Sequence, residues 1–278
     1  MIIIGDVHGC YDTLVALLDK IPQEEKDKGV VFCGDLIDRG PKSKQVIELV
    51  RNSSYKCVKG NHEILMIDCG PFPRFSDDWG HNGGNKTVKS YYPDINMNTL
   101  SDTEQNKIRH QVQDDIRADM KWLNDLPVYL EFPEVKNDEG RYLVVSHSHV
   151  ANVWRRMKQL EEKILKTPKD QPLERMDLIR LENCFKEITW GRPQKLKMVN
   201  EIYNVIGHTP RPDNPRIKKP YANVDTGCFL GLKSWRQYSE GGLGKLTALQ
   251  FPEMIVYQQD CIDEFPEPKT VMEELDDE

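Results

Sequence analysis

Apolar positions along this 278-residue chain fall in short runs, each stopped by a glycine and a polar residue. Met1-Ile2-Ile3-Ile4 breaks at Gly5-Asp6, and Leu14, Leu17 and Leu18 then recur at helical spacing across residues 11–20. The order is strand, loop, helix. Gly29-Val30-Val31-Phe32-Cys33, short and β-branched, predicts a buried strand at 30–33, then a loop at 34–41 and a helix over about 42–52 with Val46, Ile47 and Val50 inward. A third short strand, Tyr55 to Val58, runs into Lys59-Gly60-Asn61-His62-Glu63. In open α/β sheets ligands bind at the carboxyl ends of strands. The Gly-Asp, Gly-Asp and Gly-Asn loops can therefore share one site.

Residues 70–115, with Pro71, Pro73, Gly80, Gly83-Gly84 and Pro93, read as an irregular, partly helical insertion beside that site. A helix over about 104–124 follows and stops at Leu126-Pro127, where proline blocks continuation. Val128 to Phe132 and Arg141 to Ser146 predict two strands joined by a turn at Asn137-Asp138-Glu139-Gly140. Residues 151–188 carry charges at helical spacing, interrupted near Pro168 and Pro172. Ile202 to Ile206, Tyr221 to Val224 and Lys245 to Phe251 are three further strands by pattern.

A chain of this length with 38 % hydrophobic residues can bury one large core. The expectation is a single domain over residues 1–263, with insertions near 70–125 and 151–188. Of the formal net charge of −7, residues 264–278 account for −6, from seven acids and one lysine. Acidity is thus a property of the end, expected to be a solvated, mobile tail. Without a basic stripe, nucleic acid is excluded as a stable partner. The seven cysteines, 10, 33, 57, 69, 184, 228 and 261, include no C-x-x-C pair and read as reduced thiols; Cys10 reads as a small buried one. With no basic leader and no apolar run near the roughly 20 residues of a membrane span, the expected location is the cytoplasm, away from membranes. Oligomeric state is not legible.

The chemistry centres on Gly34-Asp35-Leu36-Ile37-Asp38-Arg39-Gly40. Two carboxylates on one tight turn repel each other, and a divalent cation would relieve that repulsion. Metal-capable residues recur after other strands: Asp6 and His8, Asn61, His147 and His208. A mixed imidazole and carboxylate set suits manganese, iron or zinc better than magnesium or calcium. His81 and His110 read as ordinary imidazoles. His147 and His149 would share one strand face, so spacing does not choose between them; His147 ends the apolar run and is preferred. Asp225 reads as shaping a turn.

The segments GDVHG at 5–9, GDLIDRG at 34–40 and GNHE at 60–63 resemble the signatures of the PPP-type metallophosphoesterases of calcineurin-like fold. The likeness continues through Trp79, Asn82-Gly83-Gly84, Thr87, Ser90-Tyr91, Trp190-Gly191-Arg192-Pro193, Gly207-His208-Thr209-Pro210 and Asn223-Val224-Asp225-Thr226-Gly227. It looks like the compact bacterial and bacteriophage lambda-type branch, which includes serine/threonine protein phosphatases and symmetrical diadenosine tetraphosphate hydrolases. One departure is Ser148-His149, where the family usually has a small pair such as Ala-Gly.

The resemblance, with the strand count, implies an α/β sandwich of two mixed β-sheets flanked by helices. It implies two divalent ions, manganese expected and iron or zinc the alternatives, held by Asp6, His8, Asp35, Asn61, His147 and His208, with Asp35 shared. Two ions about 3.5 to 4 Å apart clamp the attacking and leaving oxygens of an in-line displacement, with bridging hydroxide as the nucleophile. His62, paired with Asp38, would be the general acid; Arg39, Arg192 and Asn61 would bind the phosphate. The implied reaction is hydrolysis of phosphoserine and phosphothreonine in proteins, with phosphotyrosine as a further substrate. The alternative is symmetrical cleavage of a dinucleoside polyphosphate.

Overall fold

The first two strands are only three residues long, which suffices because both of their faces are buried. The computed structural model describes residues 1–71, 77–92, 95, 97–168, 171–193, 197, 199–211, 214–235 and 244–265. The chain lays down β1 (Ile2–Ile4), β2 (Val30–Phe32) and β3 (Lys56–Cys57) in one sheet. It then builds a second from β4 (Tyr129–Lys136), β5 (Tyr142–Ser146), β6 (Ile202–Ile206), β7 (Arg216–Lys218) and β8 (Tyr221–Asn223). It returns to the first as β9 (Lys245–Gln250) and β10 (Ile255–Asp260). The orders are β10-β9-β1-β2-β3 and β4-β5-β6-β8-β7. β1 is parallel to β2 in the register Ile3 to Val31 and antiparallel to β9, whereas β5, β6 and β8 run parallel.

The pleat sorts each run between two cores. Ile3, Val31, Val145, Val205, Val224 and Leu249 fill the space between the sheets. Ile2, Ile4, Val30 and Phe32 face outward onto α1 (Tyr11–Lys20) and α3 (Ser43–Asn52) through Leu14, Leu17, Val46 and Ile47. On the far side Val144 and Ile202 pack against α8 (Trp154–Lys166) and α9 (Arg175–Trp190) through Met157, Leu160 and Ile188. Burial on both faces is why these strands read as unbroken apolar runs.

The insertion folds as α5 (Asp78–His81), α6 (Gly84–Lys89) and α7 (Asp102–Asp125). α7 begins two residues before its predicted start because Ser101 and Glu104 form a capping box. Four elements escaped the pattern, the first being the short helix α2 (Gln23–Asp27), which buries no residue. α4 (Asn61–Cys69) opens inside the third loop motif, where Glu63 reaches back to the Gly60 amide at 2.8 Å. β7 is exposed and β10 largely so, and such edges carry no clean alternation. Pro73, Pro93 and residues 266–278 of the expected tail lie outside the described residues. Glu264 and Phe265, expected in that tail, instead contact the body: Glu264 pairs with Lys233 at 3.7 Å, and the Phe265 ring lies 4.5 Å beneath the Lys86 ammonium. Just before them, the Asp263 carboxylate accepts from the amides of Asp12 and Thr13 and from Oγ1 of Thr13. No helix among the described residues is long and apolar enough to cross a membrane.

Candidate active site

Every sequence-predicted candidate except Arg192 enters one buried cluster at the carboxyl ends of the strands. Asp6 and His8 follow β1; Asp35, Asp38 and Arg39 follow β2; Asn61 and His62 follow β3. The second sheet contributes His147 after β5 and His208 after β6. Hydrogen bonds stitch the halves together: Nδ1–H of His147 donates to the Cys33 carbonyl at 2.8 Å, and the His208 amide donates to Oδ2 of Asp6 at 3.0 Å. The loops turn sharply. His8, Asp35, Asp38, Arg39 and His208 all have positive φ, in the left-handed region. Such strain costs about 1–3 kcal/mol per residue and persists only where the surroundings fix it. Glycine provides the close approach: a side-chain carbon at residue 60 would lie 2.2 Å from Oδ1 of Asp35, and one at residue 207 2.0 Å from Oδ1 of Asp6.

The imidazoles present lone pairs inward. Nδ1–H of His8 donates to the Ile37 carbonyl at 2.9 Å, leaving Nε2 without a proton, and Nδ1–H of His147 is committed to Cys33 in the same way. Nε2 of His147 then faces Oδ1 of Asn61 at 2.8 Å and Nδ1 of His208 at 3.0 Å, and Nδ1 of His208 lies 2.8 Å from the same Asn61 oxygen. At most one proton, on His208, can lie among these three acceptors. A cation satisfies them all. Oδ1 of Asp35 is 3.4 Å from Nε2 of His147, while its Oδ2 is 3.7 Å from Nε2 of His8, so this carboxylate reaches both sides.

Electrostatics agree with this fit. Burial, then Asp225 and Asp35, hold Asp6 well above the ordinary carboxylate range. Burial raises Asp225 to about 6 and, with Asp35 adding to it, Glu63 to about 8. Burial drives the imidazoles the other way, His8 well below its usual value and His147 and His208 to about 3. Neutral imidazoles beside crowded carboxylates are donors suited to divalent cations, and the residues present fit such ions.

Asp38 lies behind His62, its Oδ2 2.6 Å from Nδ1. The insertion completes its surroundings. Nε1–H of Trp79 donates to Oδ1 at 2.9 Å, and Oγ1 of Thr87 donates to the same oxygen at 2.6 Å. Burial still raises Asp38 to about 7 and lowers His62 to about 4. Arg39, expected to face phosphate, points its fork at Nε2 of His8 and Nε2 of His62, at 2.7 and 2.9 Å, with its guanidinium 4.2 Å over the Phe229 ring. Arg192 is exposed, and its charge is close enough to lower the pKa of His147 and His208.

His149 stays outside the cluster, its ring edge-on to Tyr221 at 4.6 Å. Three buried residues were missed or undervalued by sequence reasoning. Glu63 accepts from the amides of Asp35, Leu36 and Gly60, locking two motif loops together; the Gly60 to Glu63 capping spacing was its signal. Asp225 accepts from the Gly227 amide at 2.8 Å, the expected turn role, and also crowds Asp6. Phe229 gave no signal in the sequence.

This fold and site are those of a phosphoesterase: the chain belongs to the calcineurin-like phosphoesterase family, whose model matches residues 1–225. Among its relatives, a Halalkalibacterium halodurans protein named bis(5'-nucleosyl)-tetraphosphatase PrpE (asymmetrical) is 30 % identical over 274 residues, 91 % of this chain and 90 % of that protein. The Bacillus subtilis protein of the same name is 26 % identical over 276 residues, 91 % of each chain. Serine/threonine-protein phosphatase 1 of Salmonella typhimurium is 38 % identical over 82 residues, 30 % of this chain and 38 % of that one. The crystal structure of a putative diadenosine tetraphosphatase shares the fold, with a TM-score of 0.53 at 18 % identity over 93 % of this chain and 92 % of that one.

Proposed function

We propose that this metallophosphoesterase hydrolyses dinucleoside polyphosphates, cutting them asymmetrically. The convergence of lone pairs from His147, Asn61 and His208 beside Asp35 carries the hydrolytic part of this reading. The substrate class is supported by likeness to the PrpE-named proteins over nine-tenths of the chain, against less than a third for the protein phosphatase. That name also favours asymmetrical cleavage over the symmetrical cleavage that the family resemblance offers as the alternative to phosphoprotein hydrolysis. Asp6, His8, Asp35, Asn61, His147 and His208 would hold two divalent ions, manganese being the proposed choice. Ions bound there polarise phosphoryl oxygens and lower the pKa of water.

The chain's own groups do the rest. Arg39 and Arg192 supply guanidinium donors to phosphate oxygens. His62 is held by Asp38 through Nδ1–H and its Nε2 accepts from Arg39; once that guanidinium turns to phosphate, Nε2 can take a proton from the attacking water and pass it to the leaving oxygen. With a dinucleoside tetraphosphate, water oxygen forms a bond to the phosphorus next to one nucleoside, the bond from that phosphorus to the bridging oxygen breaks, and a nucleoside triphosphate leaves with the proton, beside a nucleoside monophosphate.

The test is chromatography of products from diadenosine tetraphosphate with the manganese-loaded enzyme. AMP and ATP in equal amounts are expected. Two ADP would replace asymmetrical by symmetrical cleavage, and faster turnover of a phosphoserine peptide would favour the protein phosphatase reading, which the 82-residue match supports.

A further inference from the structure

We propose that Cys10, Cys228 and Cys261 form a second metal site, a three-thiolate site for a thiophilic ion of the Zn2+ class, separate from the Asp and His cluster. The three sulfurs lie within 4.8 Å of one another, and Sγ of Cys261 is 4.0 Å from Sγ of Cys10. Zinc binds thiolates at about 2.3 Å, which sets tetrahedral sulfurs about 3.8 Å apart. The cluster is therefore already near the size of a coordination sphere. Each sulfur comes from a different segment: Cys10 just before α1, Cys228 at the start of the 3-10 turn Cys228–Gly231, and Cys261 after β10. No sequence spacing could have revealed the set.

The surroundings are built to bring the sulfurs together. A side-chain carbon at Gly231 would lie 2.5 Å from Cβ of Cys261, so only glycine admits that cysteine, and the Cys261 amide is tied to the Gly244 carbonyl at 2.7 Å. Cys10 and Cys228 are buried while Cys261 is partly exposed, which gives an ion an approach and leaves a fourth position for water. Asp263, close by in sequence, is already engaged with Thr13 and the amide of Asp12. Soft thiolates select a different ion from the oxygen and nitrogen donors of the active site. On binding, each coordinating thiol releases its proton to solvent and forms a sulfur–metal bond.

The site lies directly behind the catalytic loops. Cys10 donates its S–H to the His8 carbonyl at 3.6 Å, and Cys228 precedes Phe229, whose ring packs 5.0 Å from His8. A bound ion would thus fasten the segment around residue 261, beyond the family match, to the loop bearing His8.

Cadmium titration of the full chain, in a thiol-free reductant and with excess manganese to fill the Asp and His cluster, tests this. The expected result is a thiolate-to-cadmium charge-transfer absorption that saturates at one equivalent. It should disappear in Cys261→Ser, whose far-ultraviolet circular dichroism is unchanged, and persist in Cys69→Ser. No such band in the wild-type protein would overturn the proposal without recourse to any variant. So would a band that survives Cys261→Ser or is lost in Cys69→Ser.

Discussion

Nη1 of Arg39 lies 2.7 Å from Nε2 of His8, and arginine can only donate, so this bond occupies the lone pair through which His8 would hold a cation. The two partnerships of His8 are mutually exclusive. A cation at His8 must turn Arg39 away from the imidazoles, which frees the guanidinium for a phosphate. Arg39→Ala should accordingly leave manganese affinity unchanged or tighter by calorimetry. Its kcat/KM should fall roughly 10- to 100-fold, the worth of a charge-assisted hydrogen bond. Loss of manganese binding in this variant would refute the exchange.

Manganese should stabilise the fold. At a hundred times its dissociation constant a ligand bound only by the native state contributes about 2.7 kcal/mol, which scanning calorimetry reads as a raised Tm. Asp35→Asn removes the carboxylate that faces both His8 and His147 and relieves its repulsion of Asp6. Most of the manganese increment should vanish in that variant while the metal-free protein keeps its Tm. An increment of the wild-type size would sink the ligand assignment.

Trp79→Phe tests the insertion's part in the site. It removes a donor that sits 2.9 Å from Oδ1 of Asp38 and keeps that pKa down, so the variant should lose about 1–3 kcal/mol in urea unfolding. Because the lost bond favoured the ionised form, Asp38 moves further up, and the acid limb of the pH–rate profile should shift to higher pH. A profile left in place would separate Trp79 from the chemistry.

Gly84 makes room for the same indole. A side-chain carbon there would lie 2.6 Å from the Trp79 ring, and the neighbouring Gly83 has φ +107°. Gly84→Ala should destabilise by roughly 1–3 kcal/mol, the range for overpacking a tight interior, and should lower activity along with stability. Wild-type denaturation by urea would show that the indole yields freely.

Asp119 offers a pH test remote from the cluster. Burial holds its carboxyl above the usual range, against the opposing effects of Tyr91 and Arg51. A raised native pKa means that the folded protein binds this proton more tightly than the unfolded chain. Its contribution to stability is full below the unfolded pKa, about 3.9, and is lost as pH rises through the native value. Asp119→Asn should remove that component from stability measured from pH 4 upward; an unchanged slope would reject it.

Much of this was legible because strand and loop alternate so sharply. Three apolar runs, each cut by a Gly-Asp or Gly-Asn, announce both the parallel strands and the loops that bear Asp6, Asp35 and Asn61. What stayed hidden depends on contacts across the chain. Trp79 and Thr87 could be matched to a family pattern, but their bonds to Asp38 arise only when the insertion folds over β2. The family resemblance assigns Arg39 to phosphate, yet its fork lies between two imidazoles far apart in sequence. β10 is an edge with weak alternation, and Cys10, Cys228 and Cys261 meet only through it.

The bond from the His208 amide to Asp6 spans 202 residues. The full donor set is complete only once His147 and His208 have been made and the two sheets have packed together. A cation held by that full set would therefore be no template for folding. It would act late, as a latch on a finished tertiary structure, and would be expected to slow unfolding more than it speeds assembly.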